Sequence, residues 1–289
     1  MIDYDIVKQW RFEEIVQNYT ARDTMLYALG IGMGADPLDE AELAYVYEKS
    51  LQAVPTMATV LGSPGLWLRD PRTGADYVKL VHGEQSIRLL RPLPPAATVV
   101  ASNRVLSITD KGAAKGAIVV VQRELKEQGS GALLADIRQV TFLRGDGGFS
   151  AGHGRSDPGP EPLPAVPERA PDREEVMPTL ERQALIYRLS GDYNPLHSDP
   201  GVARSAGFSR PILHGLCTYG IAAHALLKSV CGHQASRLKE LSVRFTAPVY
   251  PGETVRVQLW REETGRVRLR ARVDARDATV LNNGVAVIG

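Results

Sequence analysis

Two stretches of this 289-residue chain, Arg88–Val99 (RLLRPLPPAATV) and Arg244–Val255 (RFTAPVYPGETV), align without a gap at one constant offset. Arg88 falls on Arg244, Pro92 on Pro248, Pro95 on Pro251, Thr98 on Thr254 and Val99 on Val255, and the same offset carries Pro55 onto Pro211. Repetition at this scale points to an internal duplication, one supersecondary plan built twice. The competing account is that proline turns between strands resemble one another by coincidence. A second feature divides the chain between the two copies. Pro158, Pro160, Pro162, Pro164, Pro167, Pro171 and Pro178 crowd a stretch rich in Gly, Ser and charge. Proline lacks the N–H that helix and ladder both need, so this stretch reads as a linker. The expected division is residues 1–145, a linker over 146–175, and residues 176–289, each flanking part large enough for its own core.

Both parts show the same order of elements. In the first, Leu43, Val46, Tyr47, Leu51 and Val54 recur near helical spacing, which predicts a helix within 41–62 behind the acidic start Asp39, Glu40 and Glu42. Strands are predicted over 77–90, 98–108, 116–125 and 133–143. In the second, a short helical pattern over 180–189 precedes an apolar segment over 212–230, then strands over 238–245, 254–262, 266–274 and 279–288. Gly215, Gly220, Ala222, Ala223 and Ala225 are small enough for a helix here to lie closely against a sheet that wraps it. Arg266, Arg268, Arg270 and Arg272 alternate with apolar residues and read as a solvated outer sheet face. Gly30, Gly32 and Gly34 lack the spacing of a nucleotide loop and read as a helix end.

Charge excludes more than it identifies. Lys and Arg total 34 against 33 for Asp and Glu, so no summed field draws nucleic acid or an anionic membrane. No stretch approaches the roughly 20 apolar residues of a membrane span. Cys217 and Cys231 both sit in apolar sequence, as buried thiols in a reducing compartment do, and metal-ligand spacing is absent. Residues 1–10 lack a signal-peptide pattern and the chain ends Val287-Ile288-Gly289, so a cytoplasmic enzyme is expected.

The densest chemical signal is Ser190-Gly191-Asp192-Tyr193-Asn194-Pro195-Leu196-His197. Pro195 disfavours helical geometry at Asn194, so the stretch is a turn that can bring a carboxylate and an imidazole together around one water. An Asp-x-Asn-Pro turn can equally be structural, with Asp192 capping backbone N–H groups. A second signal, Arg210-Pro211-Ile212-Leu213-His214-Gly215-Leu216, puts Gly215 in the opening turn of the apolar helix, where free N–H groups and the helix dipole can hold a developing oxyanion. His153, His224 and His233 have no carboxylate close in sequence and read as surface residues or local hydrogen bonders.

With these motifs in place, the chain resembles the MaoC-like, (R)-specific enoyl-CoA hydratases (enoyl-CoA hydratase 2) of the double hot-dog form. The resemblance rests on YRLSGDYNPLHSDPGVARSAGF and RPILHGLCTYG in the second half. In the first half it rests on ARDTMLYALGIGMG, YVYEKSLQAVPTMATVLG and VHGEQSIRLLRPLP. It implies an α+β chain of two tandem hot-dog folds, each an antiparallel sheet wrapped around a central helix. It further implies a lyase of fatty acid metabolism that hydrates trans-2-enoyl-CoA to (3R)-hydroxyacyl-CoA. Asp192 and His197 would be the catalytic pair, Asn194 would position the water and the Gly215 N–H would bind the thioester oxygen; His214, Pro195 and Leu216 would contact substrate. No cofactor beyond the substrate's own CoA and no metal is implied. The first half, with Ala58-Thr59 where His214-Gly215 stands in the second, would be catalytically empty and accommodate the acyl chain. Its His82-Gly83-Glu84-Gln85 reads as structural or interfacial. Two hot-dogs in one chain already form a face-to-face pair, so a monomer suffices and a homodimer is the further assembly the resemblance allows. The alternatives are a 3-hydroxyacyl-thioester dehydratase of a branched or steroid side-chain pathway, and a non-catalytic acyl-CoA-binding hot-dog protein.

Overall fold

Alternating apolar residues build ten strands, and the computed structural model, which describes residues 1–289 except His153 and Thr264, joins them in one antiparallel sheet. The first half supplies β1 (Ile15–Tyr19), β2 (Leu80–Leu89), β3 (Ala97–Asp110), β4 (Ala117–Glu127) and β5 (Leu133–Leu143). The second supplies β6 (Arg173–Pro178), β7 (Leu238–Phe245), β8 (Thr254–Arg261), β9 (Arg266–Val273) and β10 (Ala278–Ile288). Every strand read from the sequence is present. Their order is β1-β3-β4-β5-β2-β7-β10-β9-β8-β6, a palindrome once the halves are matched strand for strand. At its centre β2 pairs with β7, with Ser86 opposite Ser242, Glu84 opposite Arg244 and Arg88 opposite Glu240. The repeat's offset also makes Ser86 the counterpart of Ser242, so a pseudo-two-fold axis passes between them. Coincidental turns would not produce that register; duplication does.

Among the described residues six α-helices accompany the sheet: α1 (Tyr4–Lys8), α2 (Ala21–Gly30), α3 (Glu40–Val46), α4 (Gln183–Tyr187), α5 (Pro200–Ser205) and α6 (Gly215–Ser229). The apolar helix of the second half is α6, buried continuously from Cys217 to Leu227. A Cβ on Gly220 would come within 2.4 Å of Ile31, so the small residue is what lets α6 approach the end of α2. As expected of a helix end, α2 stops at Gly30, and Gly32 and Gly34 follow with φ of 90° and 74°.

The first half departs from the expected helix over 41–62. Helix α3 ends at Val46, Ser50 takes a left-handed φ of 58°, and a 3-10 turn at Pro55–Thr59 stands where the second half has the start of its long helix. Buried Arg123 on β4 holds this turn, its guanidinium donating to the carbonyls of Thr59 (3.0 Å) and Leu61 (2.7 Å). One buried cluster runs through both halves, from Tyr19 and Leu61 to Leu226 and Leu269, beside a smaller one within the first half that includes Val7, Ile108 and Leu143.

Two expectations for the linker region are corrected. Arg173–Pro178 forms edge strand β6 against β8, with Pro178 tolerated at its end. The arginine face of β9 is not simply solvated, because Arg268 is buried and donates to the carbonyls of Pro164 and Ala165. At the other half Asp157 accepts from Lys8 (2.6 Å), Tyr4 (2.9 Å) and the Ile108 N–H (2.8 Å). The proline-rich stretch is thus a strap bonded to both halves.

His224 is also not a surface residue. It lies buried in α6 with its Nε2 2.6 Å from Glu42 of α3, a partner 182 positions away in sequence. His153 lies outside the described residues. Burial alone would raise the Glu42 carboxyl, but the His224 imidazole and the Gly34 N–H outweigh it and hold the carboxyl at about 2, against an ordinary 4.5. A depressed folded-state value contributes stability that is full above the ordinary value and is lost as pH falls from 4.5 toward 2. Glu42→Leu is therefore expected to cost about 3 kcal/mol at pH 7, by stranding a buried partner, and to flatten that acid loss. Urea titrations of both proteins across this pH range check it, and an unchanged midpoint would refute the role.

Candidate active site

The loop after α4 is built from successive side-chain caps. A 3-10 turn at Arg188–Ser190 ends at Gly191, whose φ of 120° suits glycine. The Asn194 N–H then donates to Asp192 Oδ1 (3.2 Å), and the Leu196 N–H donates to Asn194 Oδ1 (3.1 Å), opening a further 3-10 turn at Pro195–His197. So Asp192 does cap the backbone, as the structural reading held, but with one oxygen. Asn194 spends its oxygen in the turn and retains its amide hydrogens. Pro195 starts the turn exposed, and Leu216 packs partly buried against the core.

The turn brings together what the sequence separates. One carboxylate oxygen of Asp192 and one ring nitrogen each of His197 and His214 lie within 4.8 Å of one another. His197 Nδ1 is 2.9 Å from the Ile212 carbonyl, which only accepts, so Nδ1 carries the hydrogen and Nε2 keeps its lone pair. By the same logic His214 Nε2 donates to the Asp192 carbonyl oxygen at 3.1 Å. The imidazoles of His197 and His214 stack with centroids 3.8 Å apart at 29°. Stacking sets in-plane lone pairs side by side, whereas a metal needs them to converge. His214 is 1% exposed and braces the Asp192 turn from beneath.

Burial lowers His197 below its ordinary 6.5, outweighing the Ile212 carbonyl and Asp192, which pull the other way. Burial takes His214 down to about 3, helped by neighbouring His197 and Arg188 and opposed by the Asp192 carbonyl. Both rings are neutral at pH 7, which leaves His197 Nε2 able to accept a proton.

Gly215 is the first residue of α6, after His214 as its cap. The N–H groups of Cys217 and Thr218 already return to the His214 carbonyl (3.0 and 3.2 Å), while the N–H of the first helical residue has no carbonyl one turn back to bond. A Cβ on Gly215 would stand 3.3 Å from the Phe245 ring at the end of β7, so glycine keeps this approach open. At the matching place in the first half, Ala58 and Thr59 are buried in a 3-10 turn.

Several site residues escaped sequence reasoning. The Tyr187 ring lies 5.0 Å from His214 and 5.8 Å from Tyr27, and both phenol oxygens are buried without a partner among the described residues. Tyr187 opens the YRLSGDYNPLH motif that holds Asp192, and Tyr27 lies in the ARDTMLYALGIGMG motif of the other half, but nothing in either motif aims the ring at the site. Phe245 and the Ile212 carbonyl were equally invisible.

Comparison with known proteins agrees with this architecture. Residues 17–145 match the family described as MFE-2 hydratase 2 N-terminal domain, and residues 163–283 match the MaoC like domain. A 3-hydroxyacyl-thioester dehydratase Y from Mycobacterium tuberculosis is 42% identical over 281 residues, covering 94% of this chain and 93% of the relative. A protein named peroxisomal enoyl-CoA hydratase 2 from Arabidopsis thaliana is 41% identical, covering 99% of this chain and 95% of its own length. The crystal structure of a MaoC-like dehydratase from Phytophthora capsici superposes with a TM-score of 0.85 at 35% identity, covering 99% of this chain and 98% of that one. Two tandem hot-dog folds join through β2 and β7, and the chain belongs to the MaoC-like enoyl-CoA hydratase 2 family.

Proposed function

We propose that the protein is an (R)-specific enoyl-CoA hydratase, a hydro-lyase adding water reversibly across the double bond of a trans-2-enoyl-CoA to give the (3R)-hydroxyacyl-CoA. The observation that carries this reading is the cluster of Asp192 and neutral His197 beside the free N–H of Gly215 at the start of α6. Water held between the Asp192 carboxylate and His197 Nε2, with the Asn194 amide donating to it, loses a proton to the pair as its oxygen attacks the β-carbon. Negative charge develops on the thioester oxygen, and the Gly215 N–H meets it there more strongly than in the ground state. The proton returns to the α-carbon. Because water and oxyanion donor are fixed on one protein framework, water reaches one face of the double bond. The same steps reversed dehydrate a 3-hydroxyacyl thioester. The first half supplies no acid–base pair, and in our reading the space left by its shortened helix accommodates acyl chain. Buried free thiols at Cys217 and Cys231 fit a reducing compartment, cytoplasmic in this reading. No helix among the described residues is long and apolar enough to cross a membrane.

Loss of the enoyl-thioester absorbance with crotonyl-CoA and longer enoyl-CoAs tests the assignment. Absence of turnover at every chain length would overturn it, as would release of free thiol in place of hydration. A pH dependence follows. His197 is held below 6.5, so kcat/KM is expected to stay level as pH falls from 8 to about 6.5 and to drop only below it, as the ring protonates and loses its lone pair. A pH–rate profile checks this, and an acid limb centred above 6.5 would contradict it.

A further inference from the structure

His82, in the His-Gly-Glu-Gln motif that sequence alone leaves structural or interfacial, stands apart from the rest of β2. Its Nε2 is shut off from solvent and has no partner among the described residues. A strand residue this close to the sheet's centre would normally follow the in-and-out alternation, but β2 carries a bulge here. His82 pairs with Thr141 and Glu84 with Val140, leaving Gly83 as the extra residue. Gly83 is required, since a Cβ there would fall 2.1 Å from the Phe142 ring. Bulges beside active sites re-aim a side chain, and this one sends the His82 ring against Phe245, centroids 4.7 Å apart. Phe245 is the residue whose ring would lie 3.3 Å from a Cβ placed on Gly215. His82 is therefore the first half's contribution to the wall of the second half's site, one aromatic ring beyond the oxyanion donor.

Burial takes His82 down to about 4, with the Glu84 backbone, the Asp192 carboxylate and the Gln85 side chain pulling the other way. At pH 7 the ring is neutral. A neutral imidazole carries one N–H and one lone pair, and with the lone pair on the unpartnered Nε2 its partner must be a donor. The reacting water has no hydrogen to spare, because Asp192 and His197 take both. Beyond the thioester sulfur, the first donor of an acyl thioester of the CoA type is the amide N–H two methylenes along the thiol arm, and it lies on the far side of the thioester from the acyl chain.

We propose, resting on the hydratase reading above, that His82 Nε2 accepts a hydrogen bond from this amide N–H and so makes the site specific for thioesters of an amide-bearing thiol arm. A buried hydrogen bond of this kind is worth about tenfold in kcat/KM. The test compares the crotonyl thioester of N-acetylcysteamine, which has the amide, with S-butyl thiocrotonate, which lacks it. Wild-type protein is expected to prefer the first by about tenfold. In His82→Phe the preference falls toward unity while kcat/KM for the S-butyl ester stays within about twofold, and His82→Gln, which keeps an acceptor, retains most of it. Equal losses on both thioesters would mean a packing role only and would overturn the proposal. A measurement on the unmutated protein needs no variant to fold: the ¹⁵N signal of His82 Nε2 should move on saturation with the butyryl thioester of N-acetylcysteamine and not with S-butyl thiobutyrate. Identical responses to both would mean that only water bonds Nε2. Failure of wild-type protein to hydrate crotonyl-CoA and longer enoyl-CoAs would instead remove the hydratase reading itself.

Discussion

Asp192→Asn is expected to lower turnover of crotonyl-CoA by about 10³-fold, within the range a positioned general acid–base group contributes. Asparagine keeps the Oδ1 that accepts the Asn194 N–H at 3.2 Å, so the turn should persist while the carboxylate's capacity to take a proton is lost. His197→Gln should act similarly, because His197 Nε2 is the lone pair left after Nδ1 bonds the Ile212 carbonyl. The two losses should not multiply in the double variant, since residues acting on one water work as a unit. Initial rates on the single and double variants, with circular dichroism to confirm folding, decide the matter. Activity within tenfold of wild type in either single variant would dismantle the assignment.

The oxyanion role of Gly215 calls for a pair of substitutions. Gly215→Ala adds a Cβ 3.3 Å from Phe245 but keeps the N–H; Gly215→Pro adds bulk and removes the N–H as well. Proline is tolerated at the first position of a helix, and His214 already has the extended φ of −58° and ψ of 135° that a residue before proline requires. We expect alanine to cost about tenfold through crowding and proline about 10²- to 10³-fold beyond alanine, the range for one lost oxyanion donor. Because substrate binding depends less on this contact, the further loss should fall on kcat more than on KM. Equal activity of the two variants would show that the N–H does not stabilise the transition state.

What the sequence made legible was whatever is periodic or local. Strands β2 to β5 and β7 to β10 follow from alternation, α6 from its apolar run, and the Asp192–His197 turn from Asn194-Pro195. Edge strands β1 and β6 were missed, being short and paired on one side only. The helix expected over 41–62 failed because periodicity does not register a left-handed Ser50 or an arginine, 64 positions from Thr59, that bonds the carbonyls of a turn. Glu42 with His224, and Tyr27 with Tyr187, are contacts between halves, so no window of sequence contains both partners. His82 was legible as part of a motif, but not the direction of its ring, which depends on a bulge.

The palindromic strand order has a stoichiometric consequence. A sheet made from two identical copies must present its pocket twice, and any change that improves one pocket is imposed on the other. Joining the copies in one chain frees them from that constraint, so one copy could trade a helix for a turn while the other kept its donor and its base. Titration of such a chain with a tight acyl thioester should therefore reach its end point at one equivalent, half of what the symmetry of the strands would suggest.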